Sequence, residues 1–314
     1  MTQDPYLTHR RLLFGTAYRM LGTVSDAEDV LQDTWLAWQG VQRDTVANPR
    51  AYLVRMVTNL SLNRLTSARA TRETYVGPWL PEPLLDTYGA RRPTGLGAAE
   101  APGSSRTSPD PAAETEMAET VSTAMLVVLE TLSPVERAVF VLREVFGYSH
   151  AEIAETLSRP EATVRQIAHR AREHVQARRP RYDTDEARRA EITERFLAAC
   201  DGGDLNAAMQ MLAPDVVAWC DGGGKVTAAR RPLYGPDHVA RWLLGVLRKP
   251  VSAGVRMEPA TINGELGILF TIEDMPIGTL TYEVDGEVLR DLRFQFNPDK
   301  LRGLGTEGDG SEGA

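Results

Sequence analysis

Two cysteines, Cys200 and Cys220, in 314 residues are too few for a disulfide framework or a cysteine-ligated metal cluster. They read as ordinary thiols of a reducing cytoplasm. No run of about 18 apolar residues occurs, so no membrane-spanning helix and no membrane partner are expected. The start, MTQDPYLTHRR, has no apolar core of the kind a secretory signal needs. An excess of basic charge is also lacking: the net charge is −8, which argues against a simple nucleic-acid binder. A Walker phosphate loop is missing as well. The run Asp221-Gly222-Gly223-Gly224-Lys225 has neither its spacing nor a hydroxyl after the lysine. It reads instead as a tight turn that brings backbone close to a neighbour. No cofactor, metal or catalytic group is expected.

What is present is organisation. The length suggests two or three domains, and a hydrophobic content of 42% is enough for real cores. Charge is uneven: residues 1–75 carry 9 basic and 7 acidic side chains, whereas residues 186–314 carry 14 and 20. Any DNA contact therefore needs a local basic face, and the isolated chain is expected to hold DNA weakly. Between Val76 and Ala113 there are seven prolines and five glycines, a composition that does not fold alone and reads as a linker. One island in it, Trp79-Leu80-Pro81-Glu82-Pro83 followed by Leu84-Leu85, is bulky and stiffened by proline. It looks like a docking peptide rather than a spacer.

Before the linker the pattern is helical. Ala27, Val30, Leu31, Thr34, Trp35 and Trp38 share one face, with Ser25 and Glu28 placed to form a capping box. Pro49 opens a second helix, on which Leu53, Met56, Val57, Leu60 and Arg64 share a face. After the linker, Ser133 with Glu136 and Ser149 with Glu152 mark two more helix starts, and Gly147 marks a stop. From about Glu186 two short helices lead into strands expected at 216–220, 255–259, 266–272, 279–284 and 288–296, with a helix near 236–247 between them. Helices followed by an antiparallel sheet make an α+β domain. The last residues, GLGTEGDGSEGA, read as a disordered tail.

Three stretches carry chemistry. In SHAEIAETLSRPEATVRQIAHRAR, two short helices meet at a turn around Ser158-Arg159, which is helix-turn-helix grammar. The second helix points Arg165, Gln166, His169 and Arg170 outward, side chains suited to guanine, adenine and phosphate. Six arginines stand against two glutamates from Glu161 to Arg181. In SDAEDVLQDTWLAW, Asp26, Asp29 and Asp33, with Glu28 and Gln32, form an acidic stripe opposite the apolar face. Like charges at this spacing cost helix stability, and such a stripe suits a basic protein partner better than DNA. In NPRAYLVRMVTNLSLNRLTSAR, Arg55, Asn59 and Asn63 lie along one side, in reach of bases and backbone of an opened strand. The loop 39–47 just before it could receive an extruded base.

These stretches, in this order and spacing, resemble the two conserved domains of extracytoplasmic-function (ECF) sigma factors of the sigma-70 family. The resemblance implies region 2 at residues 6–75, a linker at 76–115 and a region 4 helix-turn-helix at 116–178. It implies that Asp26, Asp29, Gln32 and Asp33 bind core RNA polymerase, at the clamp of the largest subunit. Arg55, Asn59 and Asn63 would hold the melted minus-ten element of promoter DNA, and Arg165, Gln166, His169 and Arg170 would read the minus-thirty-five element. Asn63 stands where many relatives have Asp, and Ser158 where many such turns have Gly. Residues 186–301 look like a SnoaL-like (NTF2-like) cone, with a tail at 302–314. The strings WLPEP (Trp79, Leu80, Pro81, Glu82, Pro83), DGGGK (Asp221, Gly222, Gly223, Gly224, Lys225) and NPDKL (Asn297, Pro298, Asp299, Lys300, Leu301) are similar to those of the SigJ-type branch, where the fused domain regulates the sigma domains by intramolecular contact.

A cone of this kind can host a small ligand or a general base, for which His238, Asp221 and Asp291 are the candidates. Fold alone does not decide between these uses. The expected fold is therefore two all-α sigma domains, the second a helix-turn-helix, followed by an α+β SnoaL-like domain. The expected function is promoter-specific initiation controlled in cis. The alternative is a SnoaL-type enzyme or small-molecule sensor fused to a DNA-binding regulator that does not engage polymerase.

Overall fold

A computed structural model describes residues 4–73, 75–85, 121–178, 185–249 and 252–304. Three helices open the chain: α1 (Pro5–Leu21), α2 (Val24–Gln39) and α3 (Pro49–Glu73). The Asp4 carboxylate accepts the Tyr6 N–H to cap α1, and Gly22 closes it in the left-handed region at φ 74°. α2 begins at Val24, one residue before the expected cap, with Thr23 outside it. Ser25 and Glu28 form no capping box there. The helix start is held by a carboxylate from far along the chain, as shown below.

Among the described residues, four α-helices follow the linker: α4 (Thr123–Glu130), α5 (Pro134–Phe140), α6 (His150–Leu157) and α7 (Glu161–Arg178). The capping boxes at Ser133 and Ser149 both form. Ser158 takes the left-handed conformation, φ 51°, the strained position at which glycine is the usual choice. α1 and α3 share one apolar core with this second set. Leu13, Ala17, Val54 and Val57 pack in the same cluster as Ala138, Val139, Leu142, Tyr148 and Ile153. Arg137 on α5, buried, donates to the Met20 carbonyl at the end of α1 at 2.6 Å.

The third part holds α8 (Glu186–Asp201), α9 (Leu205–Gln210), β1 (Val217–Asp221), β2 (Leu233–Tyr234), α10 (Pro236–Leu247), β3 (Arg256–Ile262), β4 (Glu265–Ile272), β5 (Met275–Asp285) and β6 (Val288–Gln295). The strands form one sheet in the order β2-β1-β6-β5-β4-β3. The sheet is mixed, not antiparallel throughout, because β6 returns beside β1 in parallel. Residues 302–304, expected in the tail, form a single 3-10 turn; 305–314 lie outside the described residues, as do 86–120 of the linker and start of the second helical set.

Side chains alternate across a strand, and here both faces are covered. Ala218, Cys220, Leu280, Tyr282, Val284, Leu292 and Phe294 pack on the helices of this domain. Their neighbours in sequence, Asp221, Thr279, Thr281, Glu283, Arg293 and Gln295, are polar and also buried. That second face looks toward the linker and α4, which packs on β5. A buried face made of polar groups resembles a domain interface rather than a core.

Candidate functional site: an interdomain clamp around the linker

Residues 75–85 run as an extended segment between the helical body and the sheet, and Asp221 is their anchor. At the end of β1 its carboxylate is wholly buried and accepts from Tyr75 Oη at 2.6 Å, the Leu80 N–H at 2.9 Å, the Gly223 N–H at 3.0 Å and Lys300 Nζ at 2.7 Å. Lys300 also donates to the Leu80 carbonyl at 2.6 Å, and its ammonium lies 4.2 Å from the Trp79 ring centroid and 5.0 Å from that of Tyr75. Gln295 Nε2 donates to the Leu80 and Pro81 carbonyls. The backbone of an extended peptide is thus read by side chains from three places in the third domain. Burial, then the Asp221 carboxylate, pushes the Tyr75 phenol well above its ordinary value.

The DGGGK and NPDKL strings meet around this anchor. Gly223 and Gly224 both have positive φ, 59° and 71°. A Cβ on Gly223 would collide with the Asn297 amide, so this position needs glycine on two counts. Asn297 Nδ2 donates to Tyr75 Oη at 2.8 Å, and its Oδ1 caps the 3-10 turn Pro298–Lys300 by accepting from the Asp299 N–H. Lys225 pairs with Asp299 at the exposed rim, and Leu301 is buried. Gly222 packs against Val226 and Ala228.

Glu82 faces the other way. Its N–H donates to the Gly22 carbonyl at 2.9 Å, its carbonyl accepts from Tyr18 Oη at 2.6 Å, and its carboxylate accepts the Val24 N–H at 2.8 Å. Burial raises its pKa, against the lowering effect of the Val24 and Ser25 N–H groups. Glu82 is therefore the cap of α2, supplied from 58 residues away. Sequence reasoning about local capping could not find it. A second missed residue is Asn263, at the turn between β3 and β4. Its N–H donates to the Leu84 carbonyl at 2.8 Å, and its side chain meets Tyr18, Leu84 and Thr123. The signal available was Asn263-Gly264 between two strand runs, a strong hairpin dipeptide.

The faces expected to meet outside partners lie on the helical body. Asp29, Gln32 and Asp33 are exposed on α2, beside a groove of about 360 Å³ lined by Tyr6, Leu7, Arg10 and Trp35. Arg64 on α3, expected on an apolar face, instead reaches across to Asp26 at 2.7 Å and to Asp29. This relieves the like-charge repulsion in the stripe. On α3 Asn59 and Asn63 are exposed and Arg55 is half-buried, 3.9 Å from Glu155 of α6. On α7 Arg165, Gln166, His169 and Arg170 are all exposed, with Arg165 held by Glu161 at 2.8 Å. Of the candidate bases, His238 is exposed on α10 and Asp291 sits in β6 at φ 50°. Asp221 is spent in the clamp.

The Sigma-70 region 2 family matches residues 6–71 and the Sigma-70 region 4 family residues 122–175. The "ECF RNA polymerase sigma factor SigJ" of Mycobacterium tuberculosis (strain ATCC 25618 / H37Rv) is 41% identical over 262 residues, 82% of this chain and 77% of that protein. The chain belongs to the ECF sigma factor family.

Other similarities of this sigma factor run over almost its whole length. The "Probable ECF RNA polymerase sigma factor SigI" of Mycobacterium tuberculosis (strain CDC 1551 / Oshkosh) is 30% identical over 299 residues, 95% of this chain and 94% of that one. The crystal structure of the Mycobacterium tuberculosis ECF sigma factor SigJ superposes with a TM-score of 0.69 at 34% identity, covering 94% of this sigma factor and 96% of that chain. The fold is that of two helical sigma domains followed by a SnoaL-like α+β domain. No helix among the described residues is long and apolar enough to cross a membrane.

Proposed function

We propose that this sigma factor is held closed in cis by its C-terminal domain, which grips the linker and thereby keeps regions 2 and 4 together. The observation that carries the reading is the Asp221 carboxylate, wholly buried between Lys300 and the Leu80 N–H. A tethered surface meets its site at an effective concentration in the millimolar range, so a modest interface suffices.

Closure opposes initiation for a geometric reason. Promoter elements named minus-ten and minus-thirty-five lie about 25 base pairs, or roughly 85 Å at ~3.4 Å per pair, apart. Yet α3, which carries Arg55, Asn59 and Asn63, packs directly on α5 and α6 of the other domain. Region 4 must leave region 2 before α7 reaches its element. Asp26, Asp29, Gln32 and Asp33 take the polymerase clamp, and Arg165, Gln166, His169 and Arg170 read the minus-thirty-five DNA. We place region 2 at residues 6–75, region 4 at 116–178 and the regulatory domain at 186–301. The factor works in the cytoplasm, where its polymerase is.

The third domain acts as an interaction module rather than as an enzyme. Its candidate carboxylate is occupied by five donors, and Trp242, Phe270, Phe294 and Phe296 fill the space between α10 and the sheet with ring contacts 5.2 to 6.4 Å apart. Transcription in vitro with core polymerase tests the whole reading. Trp79→Ala and truncation before Asn297 are expected to change initiation, and Asp29→Lys to abolish it. Unchanged initiation in all three refutes it.

A further inference from the structure

Asn263 lies outside the three strings that mark the clamp, yet its side chain meets three separate parts of the molecule. It stands at the tip of the β3–β4 hairpin, with φ 53° followed by Gly264 at 76°, the two positive angles of a tight hairpin turn. It is 2% exposed. Its Oδ1 accepts the Leu84 N–H at 3.2 Å and the Thr123 hydroxyl at 3.3 Å, while its Nδ2 donates to Tyr18 Oη at 2.8 Å. Tyr18 Oη in turn donates its own hydrogen bond to the Glu82 carbonyl. One amide thus binds α1 of region 2, the linker, and the first turn of α4 in region 4.

We propose that Asn263 is the latch of the closed state: the hairpin tip of the C-terminal domain locks both sigma domains and the linker at one point, separate from the Asp221 clamp. The reason lies in the hydrogen-bond inventory. An amide offers two donors and a two-lone-pair acceptor, and here acceptor and donor serve different domains. A carboxylate of the same size accepts only and could not do both. The latch engages the corner between α1 and α2, where Gly22 accepts from Glu82 and Met20 from Arg137. That corner leads directly into the acidic stripe. Parting either sigma domain from the hairpin leaves buried polar groups unmatched, which makes separation cooperative.

The proposal rests on the reading that closure limits initiation, and the experiment separates the two. In the full chain, Gln42→Cys and Gln176→Cys place spin labels on exposed sites of regions 2 and 4; the native thiols are buried. The distance is followed along a urea titration. Asn263→Gly removes the side chain while keeping a residue suited to positive φ. It is expected to favour separation about tenfold, equal to about 1.4 kcal/mol, and so to lower the separation midpoint. Tyr18→Phe and Thr123→Val approach the latch from its partners. Their effects should shrink in the Asn263→Gly background, since the contact is already gone. An unchanged midpoint, or partner effects that simply add, overturns the latch. A lower midpoint with unchanged initiation in vitro keeps the latch and refutes the inhibitory reading.

Discussion

Asp221→Asn is the sharpest perturbation of the clamp because it changes charge without changing size. The pair Asp221–Lys300 is 2.7 Å apart with side-chain exposures of 0% and 8%. Asparagine can still accept from Tyr75 and from the Gly223 N–H through one oxygen. Its amide nitrogen then faces the Leu80 N–H, Lys300 Nζ and Gln295 Nε2, all donors. Removing one partner of a buried ion pair costs about 3–5 kcal/mol. Lys300 keeps the Leu80 carbonyl and two aromatic faces, which argues for the lower end. About 3 kcal/mol corresponds to roughly a hundredfold shift from closed to open. The assay is initiation from a cognate promoter, together with a double-mutant cycle against Lys300→Met. The pair reading expects Lys300→Met to restore much of the closure lost in Asp221→Asn, as an apolar replacement of both charges often does. If Asp221→Asn initiates like the parent, or the two effects add without coupling, the clamp does not control activity.

Other outcomes follow from the same geometry. Gly223→Ala forces a Cβ into the Asn297 amide at φ 59° and is expected to open the clamp by about 1–3 kcal/mol, seen as faster proteolysis of the linker. Burial raises the Glu82 pKa in the closed chain above its ordinary value. Its protonated form therefore favours closure below that value, and the benefit is lost as pH rises through the raised pKa. Glu82→Gln should flatten the pH dependence of closure in that window, followed by the interlabel distance. Asp29→Lys should weaken core polymerase binding tenfold or more, most strongly at low salt, while melting stays near the parent because exposed pairs such as Arg64–Asp29 contribute under about 1 kcal/mol. Arg165→Ala or Gln166→Ala should cost about 1–3 kcal/mol of discrimination at one minus-thirty-five base, read by binding to single-base promoter variants. A uniform loss across sequences would instead make that residue a phosphate contact.

Local features were legible from the chain. The capping boxes at Ser133 and Ser149, the stop at Gly147 and helix α10 are set by neighbours within four residues, which periodicity and side-chain chemistry report directly. The helix-turn-helix and the acidic stripe were legible for the same reason, and the three short strings came with the family resemblance. What the tertiary structure alone decided is where distant groups meet. Glu82 replaces Ser25 as the cap of α2; Arg64 leaves its expected apolar face for Asp26 and Asp29; β6 lies parallel to β1; and a candidate base, Asp221, becomes the anchor of the linker. Each of these joins residues 35 or more positions apart. Such pairings depend on how the three domains are stacked, and a buried carboxylate looks the same in the chain whether it will take a proton from a substrate or accept five hydrogen bonds from its own protein.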